Sequence, residues 1–202
     1  MSDTRRSGVL RPVVMLTVLM FVLCGFAYPA FVAAAGSALG LGWQENGSLI
    51  KMNGTVVASE LIGEKFSSPM YFWPRVSAVN YNSLNGSGGS SIGIATLEFY
   101  NQTKNYTEYL IQTGHLSPGT KVPANGVEPS ASGFDPDITV AFALFQIPRV
   151  HFNTNLSVSL LRSLVSKYTV HPFLGFIGST YVNVVLLDLA LHSILLKKGL
   201  IH

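Results

Sequence analysis

The sequence predicts an α+β domain carried on a single N-terminal membrane helix. Three observations predict it: an uncharged apolar run from Val13 to Ala35, an Asn53-Gly54 pair between two β-prone runs, and capped helical segments with apolar faces in the second half of the chain. The 202 residues then divide into a cytoplasmic tail at 1–12, a transmembrane helix at 13–35, a linker at 36–42 and an extracytoplasmic domain at 43–202.

The apolar run comes first. No charged residue occurs from Val13 to Gly42, and Val13–Ala35 is 23 residues, enough to cross a hydrocarbon core of ~30 Å with some tilt. Arg5, Arg6 and Arg11 precede it, so the positive-inside rule places the N-terminus in the cytoplasm and the rest of the chain outside. Pro29, after Tyr28 in the second half of the run, is expected to kink the helix or mark where it thins out. A cleaved signal peptide is the rival reading, because Ala33-Ala34-Ala35 before Gly36 fits a small-residue cleavage site. The run is longer than a usual signal core, which favours an anchor. In either case the remainder is exported.

Beyond the anchor, Gly36–Gly42 holds three glycines and reads as a linker, with Trp43 placed like an interfacial aromatic or, equally, an ordinary core residue. Ser48–Val57 is expected to form a hairpin turning at Asn53-Gly54. Residues 67–93 read as loop, and Ala95–Gln112 as a helix ended by Gly114. Residues 116–136 are Pro- and Gly-rich and irregular. Asp135-Pro136 supplies an N-cap and first-turn proline for a helix over Ile138–Ile147 that stops ahead of Pro148. Ser157 caps Val158–Tyr168, and Asn183 caps Val184–Lys198 with Gly199 beyond. The last segment is apolar, yet its 13-residue stretch Val184–Leu196 contains Asp188 and His192, so it reads as a buried helix rather than a second span.

Composition excludes several functions. Charged residues make 11% of the chain, against roughly 25% in ordinary globular proteins. The pI near 9.0 comes largely from the three N-terminal arginines. After position 11, ten basic and nine acidic residues remain, so no basic stripe is present for nucleic acid. The single Cys24 lies in the span and excludes an internal disulfide framework and every Cys-based zinc pattern. Few carboxylates would suit an acidic medium, since groups that depend on ionisation lose their partners at low pH. Early acid collapse of the domain would contradict that expectation.

Six Asn-x-Ser/Thr acceptors, at Asn46, Asn53, Asn85, Asn101, Asn105 and Asn155, are candidate glycosylation sites on an exported domain. A Ser/Thr-rich coil without glycans gives the same pattern. Templates for catalysis fit poorly. Gly114–Lys121 reverses the Lys-Thr order of a phosphate-binding loop and carries Pro118 inside it. The five histidines show no i, i+4 pair, and Asp135 with Asp137 is explained by a helix N-terminus, so no metal site and no catalytic residue is expected. What stands out is a pair of uncharged polar and glycine clusters, Ser87-Gly88-Gly89-Ser90 and Ser130-Ala-Ser132-Gly133-Phe-Asp135. Amide-rich loops of this kind suit anions, and glycine equally suits close packing against another backbone.

At these residues the chain resembles the C chain of the bacterial and archaeal Kdp potassium-transporting ATPase. The likeness is ordered along nearly the whole length. It runs from Arg11-Pro12 and Tyr28-Pro29 through Asn46-Gly-Ser-Leu-Ile50, Ser59-Glu-Leu-Ile-Gly63, Tyr71-Phe72 with Arg75-x-Ser-Ala78, and Tyr81-Asn82. It continues through Ser87-Gly-Gly-Ser90, Ser130–Pro136 and Gln146-Ile-Pro-Arg-Val150 to Val182–Leu191. Val76, Ser91 and the displaced acid at Asp188 depart from the family pattern.

The resemblance implies a single-span accessory subunit in a complex with a potassium-selective channel-like subunit, a P-type ATPase subunit and a very small membrane subunit, with lipid around the span. No cofactor of its own is implied; ATP and Mg belong to the partner ATPase subunit. Among the residues that carry the resemblance, Tyr71, Phe72, Arg75, Tyr81, Asn82, Ser90, Ser132, Gly133, Asp135 and Arg149 are candidate partner contacts. The family is described as a catalytic chaperone that raises ATP affinity, which would place nucleotide at Ser87, Gly88, Gly89 and Gln146. A domain outside the cell cannot meet cytoplasmic ATP, so the topology favours a structural role on the outer face of the potassium-selective subunit. The alternative is a free-standing anchored surface glycoprotein or binding module.

Overall fold

The computed structural model describes residues 3–82, 84 and 86–201, with side chains described from Gly8 onward. The chain forms two compact units, 1–48 and 49–202.

The first unit is dominated by α1 (Asp3–Val22) and α2 (Tyr28–Ala38), joined by a wide π-turn at Leu23–Ala27. The π-turn has a local cause. Pro29 has no N–H, and its ring crowds the carbonyl four residues back. The ladder widens just before it, and the Tyr28 N–H reaches back five residues to the Leu23 carbonyl. Inside the run, the Thr17 hydroxyl donates to the Val13 carbonyl at 2.9 Å, satisfying its polarity within the helix. Gly8–Ala38, 31 residues, is the one stretch among the described residues long and apolar enough to cross a membrane. At 1.5 Å per residue it is ~46 Å long, more than a hydrocarbon core needs. Helix therefore covers the first half of the expected linker. A turn and a short α3 (Gly42–Glu45) follow, with the Ser37 hydroxyl donating to Glu45 Oε2 at 3.2 Å.

In the second unit, β1 (Leu49–Met52) and β2 (Thr55–Ser59) form the expected antiparallel hairpin, with Met52 opposite Thr55. Asn53 and Gly54 both have positive φ, 51° and 82°, as a type I′ turn requires. A second, three-stranded antiparallel sheet has the order β3-β5-β4, from Asp137–Ile138, Tyr181–Asn183 and Thr169–Val170. Helices α4 (Leu97–Thr113), α5 (Val140–Thr154), α6 (Val158–Lys167) and α7 (Val184–Lys197) complete the domain. The core gathers Phe142, Ile147 and Val150 of α5, Leu161 and Val165 of α6, and Leu187, Leu191 and Leu195 of α7 around Phe72 and Leu110. The burial of α7 explains why it is apolar without spanning anything.

Side-chain caps open four of these helices: Thr96, Thr139, Ser157 and Asn183 each accept from an amide three residues on. The caps at Ser157 and Asn183 are those the sequence predicts. The helix cap predicted at Asp135 does not form. Residues 137–138 pair with β5 as a strand, and α5 starts two residues later behind Thr139. Nor does α5 stop at Pro148. That proline is exposed, so its missing hydrogen bond lies on the wet side, while Ile147, Arg149 and Val150 beside it are buried. Burial of those flanks outweighs the ~3 kcal/mol a helical proline costs. The helix ends instead at Asn155, in the left-handed region at φ 58°.

Candidate functional site

The segment Pro69–Arg75 has no regular structure, so its buried backbone groups need partners from elsewhere. Two helices supply them. From α5, the Gln146 amide grips Trp73 on both sides: the Trp73 N–H donates to Oε1 at 2.7 Å, and Nε2 donates to the Trp73 carbonyl at 3.0 Å. One turn on, Arg149 Nη1 donates to the carbonyls of Pro69 and Tyr71 at 2.9 and 2.8 Å. Its Nη2 donates to Gln146 Oε1, and the guanidinium lies over the Trp73 ring, 3.6 Å from its centroid. From α7, Asp188 Oδ1 accepts the Phe72 N–H at 2.9 Å, and His192 Nδ1 is 2.7 Å from the Tyr71 hydroxyl. Gln146, Arg149 and Asp188 are each only 2% exposed.

Burial sets the electrostatics here. It raises the Asp188 carboxyl well above the usual carboxylate range, against the lowering effects of the Phe72 amide and the Arg149 charge. It lowers Arg149 to about 10, opposed mainly by Asp188. Asp188 Oδ2 is buried without a hydrogen-bond partner.

A second cluster lies around Arg75. Its Nη1 pairs with Asp135 at 2.9 Å and its Nη2 donates to the Pro129 carbonyl at 3.1 Å. The Tyr81 hydroxyl donates to the Arg75 carbonyl at 2.7 Å, and burial, with the Asp135 charge, pushes that phenol upward. Ser77 Oγ donates to the Gly133 carbonyl at 2.7 Å and accepts from the Tyr81 N–H at 3.0 Å. Asp135 also accepts the Asp137 N–H at 3.0 Å. Its work is therefore the ion pair and a turn, where the sequence predicts a helix cap.

The two glycine clusters meet each other. The Gly88 N–H and the Ser87 hydroxyl both donate to the Ser132 carbonyl, at 3.0 and 2.9 Å. A side chain at Gly89 would put its Cβ 2.7 Å from the Ala131 carbonyl oxygen. At Gly133, φ is +75° and a Cβ would sit 2.7 Å from the Gly88 oxygen. Among the described residues no hydrogen bond joins Gln146 to Ser87, Gly88 or Gly89.

Of the remaining sequence candidates, Ser90 Oγ accepts the Ile92 N–H and Asn82 Oδ1 accepts the Leu84 N–H, both local turn contacts. Asn46, Asn53, Asn101, Asn105 and Asn155 are exposed, with Asn101 and Asn105 inside α4; Asn85 lies outside the described residues. Trp73, Asp188 and His192 belong to the site although none was a candidate. The available signal was Asp188 and His192, four residues apart on an otherwise apolar helix. A cleft of about 270 Å³, lined by Lys65, Phe66, Trp73, Arg75, Tyr81 and Tyr109, touches both clusters.

These features define a single-pass membrane chain with a small α+β domain whose central segment is held by buried polar side chains. Comparison with known proteins identifies its relatives. The family described as K+-transporting ATPase, c chain, matches residues 10–193. The potassium-transporting ATPase KdpC subunit of Paraburkholderia phymatum is 39% identical over 184 residues, 90% of this chain and 94% of that one. The KdpC subunit of Burkholderia orbicola is 41% identical over 187 residues, 91% and 95% of the two chains. That of Paraburkholderia xenovorans is 38% identical over 192 residues, 94% and 97%. The chain belongs to the KdpC family of potassium-transporting ATPase subunits.

Proposed function

We propose that this chain is a non-catalytic accessory subunit of an ATP-driven potassium uptake complex. Its span anchors it, and its domain, on the outer side, docks on the potassium-selective subunit, stabilising assembly with the P-type ATPase subunit or shaping ion entry. ATP and Mg act at the ATPase subunit, and this chain contributes no cofactor site. The observation that carries the structural role is the use made of Gln146. Both ends of its amide are bonded to the Trp73 backbone and it is almost wholly buried, so it is committed to the fold rather than free to meet a nucleotide. Ser87 and Gly88 are likewise committed to the Ser132 carbonyl. Family membership favours this over a free-standing surface glycoprotein.

The test is affinity purification from native membranes through a tag on this chain. The reading predicts the channel-like and P-type ATPase subunits in fixed ratio, and loss of potassium-dependent ATPase from membranes lacking the chain. Recovery of the chain alone, with ATPase intact in its absence, contradicts it.

A further inference from the structure

The loop between β4 and β5 holds four large apolar side chains out in water: Phe173, Leu174, Phe176 and Ile177 are 68%, 70%, 75% and 52% exposed. A tight turn presents them. Phe173 and Ile177 exchange both main-chain hydrogen bonds at 2.9 Å, and Leu174 and Gly175 take positive φ, 52° and 82°. The Gly175 N–H donates to the Pro172 carbonyl and the Phe176 N–H to the Phe173 carbonyl. The amides of Phe173, Gly175, Phe176 and Ile177 are thus satisfied inside the tip. No side chain from Phe173 to Ile177 carries a polar atom, and no Asp, Glu, Lys or Arg occurs from Tyr168 to Leu187.

Turns in water draw on Asn, Asp and Ser as well as Gly, and a contiguous exposed apolar patch marks an interaction surface. Four of the five amides from Phe173 to Ile177 are bonded within the tip, which lowers the cost of taking this backbone into lipid, where no other partner is on offer. The bilayer is also the surface this domain is tied to. The apolar helix ends at Ala38 and the folded unit begins at Leu49, so a short tether keeps membrane at high effective concentration. We infer that the Phe173–Ile177 tip inserts its apolar side chains into the boundary of the bilayer that the N-terminal helix spans, as a second membrane contact of the chain. This rests on the anchor alone, and holds whichever side the domain occupies and whatever the complex does.

The test uses the full chain with Cys24→Ser, in nanodiscs of phosphatidylcholine and phosphatidylglycerol. Nitroxide labels are placed at Phe176→Cys or, separately, Leu174→Cys, with Ser159→Cys on exposed α6 as the aqueous control. Power-saturation EPR reads collisions with oxygen and with a water-soluble nickel chelate. The inference predicts several-fold fewer nickel collisions and more oxygen collisions at the tip than at the control. It also predicts that restoring the label to water follows Phe173→Ser in the Leu174→Cys chain. Nickel accessibility at the tip equal to the control overturns it. So does a tip exposed in nanodiscs and shielded from both reagents only once partner subunits are added, which assigns it to a protein surface. Retained tag-based co-purification with partners alongside either overturning result would leave the subunit reading standing while this one fails.

Discussion

Gln146 and Trp73, 73 residues apart in the chain, are joined by two hydrogen bonds in which one side-chain amide serves as the missing strand partner of a buried backbone unit. Removing that amide leaves a buried N–H and a buried carbonyl without partners, and also takes the acceptor from Arg149 Nη2. We expect Gln146→Leu to lower the stability of the full chain by about 2–4 kcal/mol, the sum of such orphaned groups. Chemical denaturation in detergent, followed by tryptophan emission, checks it.

The contact between the two glycine clusters gives a second prediction. Gly133→Ala meets a left-handed φ and the Gly88 carbonyl at once. A loss of about 1–3 kcal/mol is expected from the strained backbone. The measurement is the thermal midpoint. Gly119 also has positive φ but nothing within 4 Å, so Gly119→Ala is the milder control.

Asp137 sets a pH dependence. Its folded pKa is raised from 3.8 to about 6, chiefly by burial and then by the Asp135 charge. The native state therefore binds the proton more tightly than the unfolded chain. This contribution to stability is fully present below about pH 4 and is lost as pH rises through about 6. Asp137 is only half-buried, so solvent screening reduces the effect to about 1 kcal/mol. Glu64 and Asp188 are raised by burial too, adding in the same direction. Urea unfolding between pH 4 and 7 should show stability declining with pH, and a flatter profile in Asp137→Asn. Early acid collapse would contradict this and the expectation drawn from the scarcity of carboxylates.

Sidedness is testable separately. By the positive-inside rule, the arginines before the span predict a domain on the outer side. Protease added to spheroplasts is expected to digest the domain, and added to inverted vesicles to spare it. The opposite pattern would put the domain in the cytoplasm and restore access to ATP.

Much of this architecture was legible in local chemistry. Asn53-Gly54 specifies its hairpin because both positions need positive φ, and Ser157 and Asn183 cap the helices that follow them. Asp135-Pro136 misleads because an N-cap and a strand entrance look alike over two residues. Pairing with β5 and the Arg75 ion pair, both distant in sequence, decide between them. Pro148 reads as a stop because its exposure is not visible in the sequence. The site was less legible still. Gln146, Arg75, Asp135 and Arg149 were candidates, but their partners lie 54 to 80 residues away, and Asp188 reaches Phe72 across 116. No spacing rule spans such distances.

The most direct measurement is the KM for ATP of the complex purified with Gln146→Leu in this chain. A strut that holds the Trp73 segment predicts a lower yield of assembled complex, with KM for ATP unchanged in what assembles. Full yield with a raised KM would make Gln146 part of nucleotide handling and contradict the structural account.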